Sequence, residues 1–586
     1  MYIKNVHIEN FRNFTNIDIP LSQCSLVLGI NDIGKSNLLE ALNLVLYNNK
    51  TNITSRNLSI YDFNIDVIEE YKSILKNKFC DIKNDTNEWQ KEIIEKAPKI
   101  VIEITFDYDD NDFYIMELLK DCIYVDKDEN YSYRINYSYF VKKEKDYLKY
   151  IKNYISGCMS ESDIDLFNLS TKYYDHTLTS AYTGKEISYT IYKSLKSNII
   201  YANRDSFSSD ENLSSTAILS KIISQEISDE EKNKLEKDYI EFFQKIQNYD
   251  SFKDIFKFVE DNDIKNVKDF IGKLILVPNG KKYQNVLSNI SISYDNKMLF
   301  QRGLGTRNLI YILTLFSYFN KNDNNGEFNL VAIEEPESHL STNNYKLVLD
   351  YLYKIFEKKN KYTQMIITSH SNQFINKLSI ADISIICSSK ECKQIKDMDK
   401  NLKIYLSKRA NFDILNLLFS KNIILVEGVT EEIYINTLLN TDKNNLNDIT
   451  VISIGQTGFT TFMDIWLTLH KNDVHYKLAI IKDYDNRNKS KEKHIKYDND
   501  NLNIKVSITE NYTFEDDFVK IGNNLELLNN LYNYQLNEES MIKELKNDKA
   551  QSIFDICNNI CEGVVFEIPK HIESVIRWFK NEKDKY

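Results

Sequence analysis

One short stretch restricts the fold more than any other. In SLVLGINDIGKSNLLEAL an apolar run, Ser25–Leu28, leads into Gly29-x-x-x-x-Gly34-Lys35-Ser36, and apolar residues at helical spacing follow. A strand that enters a glycine loop and leaves as a helix is the setting in which this spacing cradles phosphates, because backbone N–H groups of the loop and of the helix N-terminus point at the anion. Lys35 is placed to reach the β- and γ-phosphates and Ser36 to hold magnesium. Asn31 and Asn37, in and just beyond the loop, join them as ATP-binding residues. The stretch predicts an α/β domain with a nucleotide at the carboxyl edge of its sheet.

Two later strands end in the same manner. FNLVAIEEPESHL is an unbroken apolar strand, Leu330–Ile333, running into Glu334-Glu335-Pro336, and unbroken runs mark strands buried on both faces. Carboxylates at such an end suit magnesium through water (Glu334) and activation of a hydrolytic water (Glu335). MIITSH ends at Thr368-Ser369-His370, a third polar strand end. In QRGLGTRNLIYILTLF, Gly303 and Gly305 open a helix that continues to about Phe316, its N-terminus free to face an anion.

Together these pieces resemble an ABC-type ATPase head of the recombination-and-repair class, and IENFRNF (Ile8–Phe14) resembles that class's opening strand. Two departures stand out. The signature reads Arg302-Gly303-Leu304-Gly305-Thr306, and Glu334 occupies the usual aspartate position. The expected Q-loop segment, Thr51–Asp66, contains no glutamine. In such heads the signature helix completes the site of a second subunit, so the resemblance implies a homodimer or homotetramer.

At 586 residues the chain has room for two or more domains. Its 42% hydrophobic and 12% aromatic content excludes general disorder. Eight cysteines without a C-x-x-C pair argue against zinc and fit thiols in a reducing cytoplasm. Charge enters the first strand-like run, Met1–Glu9, which predicts no secretory leader, and no apolar run reaches membrane-spanning length. We therefore expect a cytoplasmic protein without membrane contact. A net charge of −12 permits nucleic-acid binding only where basic groups gather locally. Between loop and signature, Ile100–Asp107 and Tyr131–Phe140 alternate as strands, and an acidic helical insert spans about 205–275, a candidate dimerisation element.

The text restarts after a lysine-rich connector, Ser389–Lys403. A strand ends in Glu427-Gly428, with Glu431 one helical turn on. A second strand, Leu478–Ile481, ends in Asp483-x-Asp485, whose side chains share one face of an extended segment. TFEDDF adds Glu515, Asp516 and Asp517, and Lys570 opens a last helix in IPKHIESVIRWF. Carboxylates converging from separate strand ends repel unless a divalent cation neutralises them, and all-oxygen donors favour Mg2+ or Mn2+ over zinc. Directly after Asp483-x-Asp485, Arg487, Lys489, Lys491, Lys493 and Lys496 make a cationic loop able to hold a phosphate backbone.

A glutamate closing one strand and Asp-x-Asp closing a later one resembles the Toprim pattern. An ABC-type head followed by Toprim resembles the OLD family of ATP-dependent nucleases, and order and length look most like its Gabija-type defence nucleases. The expected division is an ATPase domain over 1–405, a connector over 406–420 and a Rossmann-like Toprim domain over 421–586. The resemblance implies a nucleotide-regulated DNA endonuclease or nickase in antiphage defence, with two metal ions in the Toprim site, ATP with Mg2+ in the head, and a helicase-like partner encoded alongside. It implies Ser36 and Glu334 as metal ligands in the head, with Gly34, Lys35, Asn37, Gly303, Gly305 and His370 binding ATP and Glu335 catalytic. In the Toprim site it implies Glu427, Glu431, Asp483 and Asp485 as ligands, with Glu515 or Asp517 added, and Lys570 as a cation near the transition-state phosphate. The alternative is a RecF-like DNA-binding repair ATPase whose Toprim is a non-cleaving scaffold. With so little text after Lys421, we expect neither a primase nor a topoisomerase.

Overall fold

The computed structural model describes residues 1–30, 32–47, 58–85, 89–108, 113–125, 131–202, 227–247, 293–294, 297–298, 301–321, 328–338, 340–341, 344–348, 363–370, 383–395, 414–441, 446, 448–455, 459–470, 476–484, 495–498 and 503–580. The chain divides into two compact units, one of residues 1–370 and 377–397, the other of 371–376 and 398–586. Among the described residues no helix is long and apolar enough to cross a membrane.

The first unit joins two sheets through one core. β1 (Tyr2–Phe11), β2 (Phe14–Pro20), β4 (Ile100–Asp107), β5 (Ile123–Val125), β6 (Tyr131–Val141) and β7 (Tyr174–Ser180) form an antiparallel sheet in the order β2-β1-β4-β6-β5, with β7 on β6. β4 buries every second residue, as the alternation in IVIEITFD requires of a sheet with one face on the core. The second sheet runs β14-β13-β3-β12-β11-β8, built from β3 (Cys24–Leu28), β8 (Leu195–Ile200), β11 (Phe328–Glu334), β12 (Thr363–Ser369), β13 (Ile383–Ile386) and β14 (Cys392–Ile395); β9 (Ser293–Tyr294) and β10 (Lys297–Met298) pair antiparallel as a separate two-stranded sheet. All neighbours in the second sheet are parallel except β13 and β14. Its inner strands are buried along nearly their whole length, which is why they read as continuous apolar runs.

A buried glutamine ties the two sheets. Gln364 in β12 accepts a hydrogen bond from Ile3 N (2.8 Å) and donates to Ile3 O (2.8 Å) and Ser22 O (2.8 Å). The β1–β4 register slips between Ile3 and Asn5, beside this clasp.

Two expectations need correction. IENFRNF is a hairpin: β1 ends at Phe11, Arg12 takes a positive φ of 52°, and β2 begins at Phe14. The connector expected over Ser389–Lys403 begins inside the first unit, because Cys392–Ile395 pairs antiparallel with β13 as an edge strand. Lysine-rich text is common on exposed sheet edges, where charge discourages further pairing. Of the helical insert, only the helix Asp229–Gln247 is described, with an acidic first turn.

The second unit carries a four-stranded parallel sheet in the order β16-β15-β17-β18: β15 (Asn422–Val426), β16 (Ile449–Ser453), β17 (Lys477–Lys482) and β18 (Ile504–Ile508). The helices Val429–Thr441, Phe514–Lys520, Lys549–Cys561 and Lys570–Lys580 share its apolar core through Tyr434, Phe518, Ile553 and Ile576. The fold is mixed α/β, a mainly parallel sheet beside an antiparallel one in the first unit and a parallel, Rossmann-like sheet in the second. β16 and β18 were not anticipated.

Candidate active sites

Four parallel strands of the first unit stop at one level. Leu28 pairs with Ser369, Thr368 with Glu334, and Ile333 with Ile200, so the Gly29 loop, His370, Glu335 and Ala202 leave the same carboxyl edge. Gly34 sits at a φ of 117°, and a Cβ there would lie 2.6 Å from Asn13 and Phe14 atoms, so glycine is required twice over. The helix Lys35–Val45 that follows has no side-chain cap and no acid in its first turn. Lys35 is buried, and Nζ donates to Gly29 O (2.8 Å) and Ile30 O (3.1 Å). Burial lowers its pKa despite the nearby Glu335, Glu337, Glu334 and Asp32. An uncapped helix start beside a lysine held only by backbone carbonyls presents N–H and ammonium donors that fit a nucleotide phosphate.

Ser36 Oγ donates to Glu334 Oε1, while Glu334 Oε2 accepts from Ala202 N (3.0 Å). A hydroxyl at the surface bonded to a buried carboxylate is an oxygen donor set that fits Mg2+. Glu335 carries a φ of 40°, unusual for a residue with a side chain. Its N–H bonds Thr368 O (2.9 Å) and Ser338 Oγ donates to its carboxylate (3.3 Å), and His370 Nδ1 lies 3.3 Å away. Gly303 is exposed, and a Cβ there would meet nothing within 4 Å among the described residues. The helix after it runs Leu304–Lys321, one turn beyond the expected end, so Gly305 lies inside its first turn. Asn31 lies outside the described residues.

Three head residues escaped the sequence reading. Asn13 Nδ2 donates to Ile33 O in the loop, and Asn37 Nδ2 donates to Asn13 Oδ1 (2.6 Å). Arg12 donates to Asn37 Oδ1 (3.1 Å) and to Asp62 Oδ1 (3.0 Å). The first hairpin therefore straps the phosphate loop, and the Arg-Asn pair between two apolar runs was its only signal. Glu337 is the third: one oxygen accepts from Ser369 Oγ (2.7 Å) and His370 N (3.1 Å), and the other is buried without a partner among the described residues. Burial raises its pKa against those hydrogen bonds.

In the second unit β15 and β17 are adjacent and parallel, so Glu427 and Asp483 leave neighbouring strand ends. Glu427 pairs with Lys482 at 3.2 Å, both side chains about one-tenth exposed, and the Lys482 ammonium lies 5.1 Å above the Phe459 ring. Glu431 is buried; its carboxylate stands 2.7 Å from where a Cβ on Gly428 would be, so Gly428 makes room for it. Thr430 donates to Glu431 (2.9 Å), yet burial, helped by Glu515, raises its pKa. Asp483 accepts from Phe514 N (3.0 Å), at the start of the helix that carries Glu515. Glu515 is buried and pairs with Lys549 at 2.8 Å. Burial alone would lower the Lys549 pKa; Glu515, with Asp483 and Glu431 in reach, raises it instead.

Asp516 is a cap, accepting from Thr513 N and pairing with Lys546 at 2.6 Å. Both oxygens of Asp517 are taken up by Glu510 N (2.9 Å) and Asn511 N (2.7 Å), with buried His571 Nδ1 a further 2.9 Å approach that is not aligned as a hydrogen bond. Lys570 is exposed and pairs with Glu510 at 3.4 Å. Glu432, beside Glu431, accepts from Ser453 N (3.2 Å) and ties its helix to β16. Asp485 and most of the cationic loop lie outside the described residues; Lys496 stacks its ammonium 5.0 Å over Tyr497. Among the described residues no three acidic, histidine or cysteine side chains already stand in coordination geometry. Buried carboxylates gathered on ammonium groups nevertheless form an oxygen-only set that fits Mg2+ or Mn2+.

Comparison with known proteins matches residues 1–375 to the AAA ATPase domain and residues 418–485 to the TOPRIM domain of overcoming-lysogenization-defect-like proteins. Endonuclease GajA of Bacillus cereus strain HuB5-5 is 24% identical over 76% of this chain and 72% of its own length. Endonuclease GajA of strain VD045 is 46% identical over a short stretch, 8% of each chain. Among solved structures, an SMC head bound to the C-terminal winged-helix domain of ScpA is 14% identical, covers 69% of this chain and all of that one, and has a TM-score of 0.34, a likeness that decides nothing.

Proposed function

The chain belongs to the OLD family of ATP-dependent nucleases, an ATPase domain followed by an OLD-like TOPRIM domain, and from that membership we propose that it cuts or nicks DNA under the control of nucleotide bound at the head. One observation carries the reading. Glu427 and Asp483 close adjacent parallel strands, and Glu431 and Glu515 stand buried beside them with Lys549 among them. So much inward-facing acid is stable only with cations at hand.

In this reading Glu427, Glu431, Asp483, Asp485 and Glu515 would hold divalent metal, which when bound would supply charge to activate water and to stabilise the leaving oxygen. Gly428 leaves space for the Glu431 carboxylate, and Phe514 N orients Asp483. Lys570 and the loop 486–496 are candidates to meet the DNA backbone. At the head, Lys35 and the helix start hold phosphates, Ser36 and Glu334 hold Mg2+, and Glu335 takes the proton of the attacking water, with His370 beside it. Gly303 and Gly305 face the nucleotide of a second copy, which makes the working unit a homodimer or homotetramer. The openness around Gly303 supports this, since its own chain does not require glycine there. Domain limits of 1–405 and 421–586, a cytoplasmic setting, antiphage defence and a helicase-like partner belong to the same proposal.

A second reading has its own support. The Lys482–Glu427 and Lys549–Glu515 pairs already neutralise acid without metal, as a non-cleaving scaffold requires. Supercoiled plasmid incubated with Mg2+, Mn2+ or EDTA separates the two. Cutting with either metal and none in EDTA supports the nuclease; intact plasmid throughout, with DNA retained in a binding assay, supports the scaffold.

A further inference from the structure

The first unit holds a basic, aromatic cavity outside its nucleotide edge. The helix Glu144–Gly157 buries Tyr147, Ile151 and Ile155 and turns Lys149, Tyr150, Asn153 and Tyr154 outward. Lys172 and Tyr173 lie across from it, and together they bound a cavity of about 600 Å3, well inside the roughly 300–1,000 Å3 range of small-ligand sites.

Tyrosine rings make the floor. Tyr150 and Tyr173 have centroids 5.4 Å apart at 34°, and Tyr154 packs edge-on against Phe167 at 5.1 Å. The rings are fixed, because Tyr150 Oη donates to Asn168 O (2.8 Å) and Tyr154 Oη to Asp163 O (3.1 Å). Lysines make the rim. Lys143, Lys149 and Lys172 are exposed and form no ion pair among the described residues, whereas neighbouring Lys142 and Lys152 pair with Asp175 and Asp85. Asp146 is the acid at this rim. In a chain with 86 acidic and 74 basic residues, three unpaired lysines around tyrosine rings are a local reversal of charge.

We propose that this cavity binds a nucleotide unit of single-stranded DNA, its base against the tyrosine rings and its phosphates among the three lysines. The chemistry selects a single strand. Aromatic floors hold bases through their flat faces, which a duplex hides in its stack, and a cationic rim follows a backbone without reading sequence. Asn153 and Asp146 offer polar atoms to a base edge. The inference rests on the proposed function only in taking DNA as the polymer bound.

The test is fluorescence anisotropy of an end-labelled oligothymidylate of ~16 nucleotides, with the full-length protein in EDTA and no added nucleotide. The triple variant Lys143→Glu, Lys149→Glu, Lys172→Glu should bind at least ~10-fold more weakly in low salt, and its slope of log affinity against log salt should be shallower by about 2, three contacts at about 0.7 each. ATP hydrolysis and the thermal midpoint should be unchanged, because all three side chains are exposed. Unlabelled duplex should compete poorly with the labelled strand. Unchanged affinity and slope in the triple variant would overturn the proposal, as would equal loss of duplex binding. Competition by a mononucleotide as strong per nucleotide as that by the strand would overturn it in favour of a free-nucleotide site. A protein that cuts no plasmid in Mg2+ but loses strand binding in the triple variant would refute the nuclease reading and leave this one standing.

Discussion

The two parallel sheets each end in a cluster of charge, and they balance it in opposite ways. At the head, the buried cation Lys35 donates to neutral loop carbonyls, beside an uncapped helix start, and burial loosens its proton. In the Toprim unit four carboxylates, Glu427, Glu431, Asp483 and Glu515, face two lysines; Lys482 and Lys549 are bound to Glu427 and Glu515, and acid tightens the proton on Lys549. The first arrangement leaves N–H and ammonium donors at the loop for an anion, with Glu334, Glu335 and Glu337 beside them. The second leaves negative potential for a cation, with lysines holding the acid together in the meantime. In the proposed reading the same strand-end geometry serves a nucleotide with its Mg2+ at one edge and metal alone at the other.

The comparison breaks most visibly at the acids. Glu427→Ala and Asp483→Ala should each slow plasmid cutting by ~10^3-fold or more, about 4 kcal/mol of transition-state stabilisation, and leave ATP hydrolysis intact. Gel assays with Mg2+ and a phosphate-release assay check both halves. Wild-type cutting by Asp483→Ala would sink the assignment of the Toprim edge.

At the head the effects should reverse. Lys35→Ala should weaken ATP binding and, with Glu335→Gln, lower hydrolysis by roughly 10^2-fold or more. Glu335→Gln should still bind ATP and so hold the ATP-bound arrangement. If nucleotide state governs the nuclease, the two variants must differ in plasmid cutting at saturating ATP. Equal cutting rates, with and without ATP, would mean that head and nuclease are merely tethered.

Much of both edges was legible because strand-end chemistry is local. Gly34, Lys35 and Ser36 share one loop with its strand and helix, and Glu334, Glu335, Glu427 and Asp483 each follow an apolar run. What the sequence hid is what joins distant text. Asn13 and Arg12 reach the phosphate loop only because β1 and β2 fold back beside it. Lys549 carries no motif, and it meets Glu515 because its helix packs where the sheet's core requires. Within TFEDDF three acids looked alike, yet helix geometry sends Asp516 to a cap and Asp517 to the Glu510–Asn511 turn, leaving Glu515 beside Lys549. β16 and β18 were missed because short apolar runs of this kind carry no end signal.

Lys549 sharpens the contrast. If it stands in for a cation, Lys549→Met should destabilise the Toprim unit in EDTA by about 1–2 kcal/mol, kept modest by its half exposure, and Mg2+ should restore most of the difference. Differential scanning fluorimetry with and without Mg2+ measures it. A loss of stability equal in both conditions would make the lysine an ordinary structural ion pair.

The smallest expected effect concerns Glu337, where the head keeps an acid of its own. Burial raises this carboxyl, although Ser369 Oγ and His370 N bond it. A raised folded-state value means that the native chain binds this proton more tightly than the unfolded chain. The proton's contribution is therefore fully present below the unfolded glutamate pKa and is lost as pH rises from there through the folded value. Glu337→Gln keeps the shape of the protonated acid and cannot ionise. Its stability relative to wild type should grow as pH climbs through that window, by about 1.4 kcal/mol for each unit of the shift, while Ser369 keeps an acceptor in the amide oxygen. Urea unfolding across the window, followed separately for each unit, measures the difference. A flat difference across pH would mean that Glu337 is ionised in the fold, and the head would then hold paired acid as the Toprim edge does.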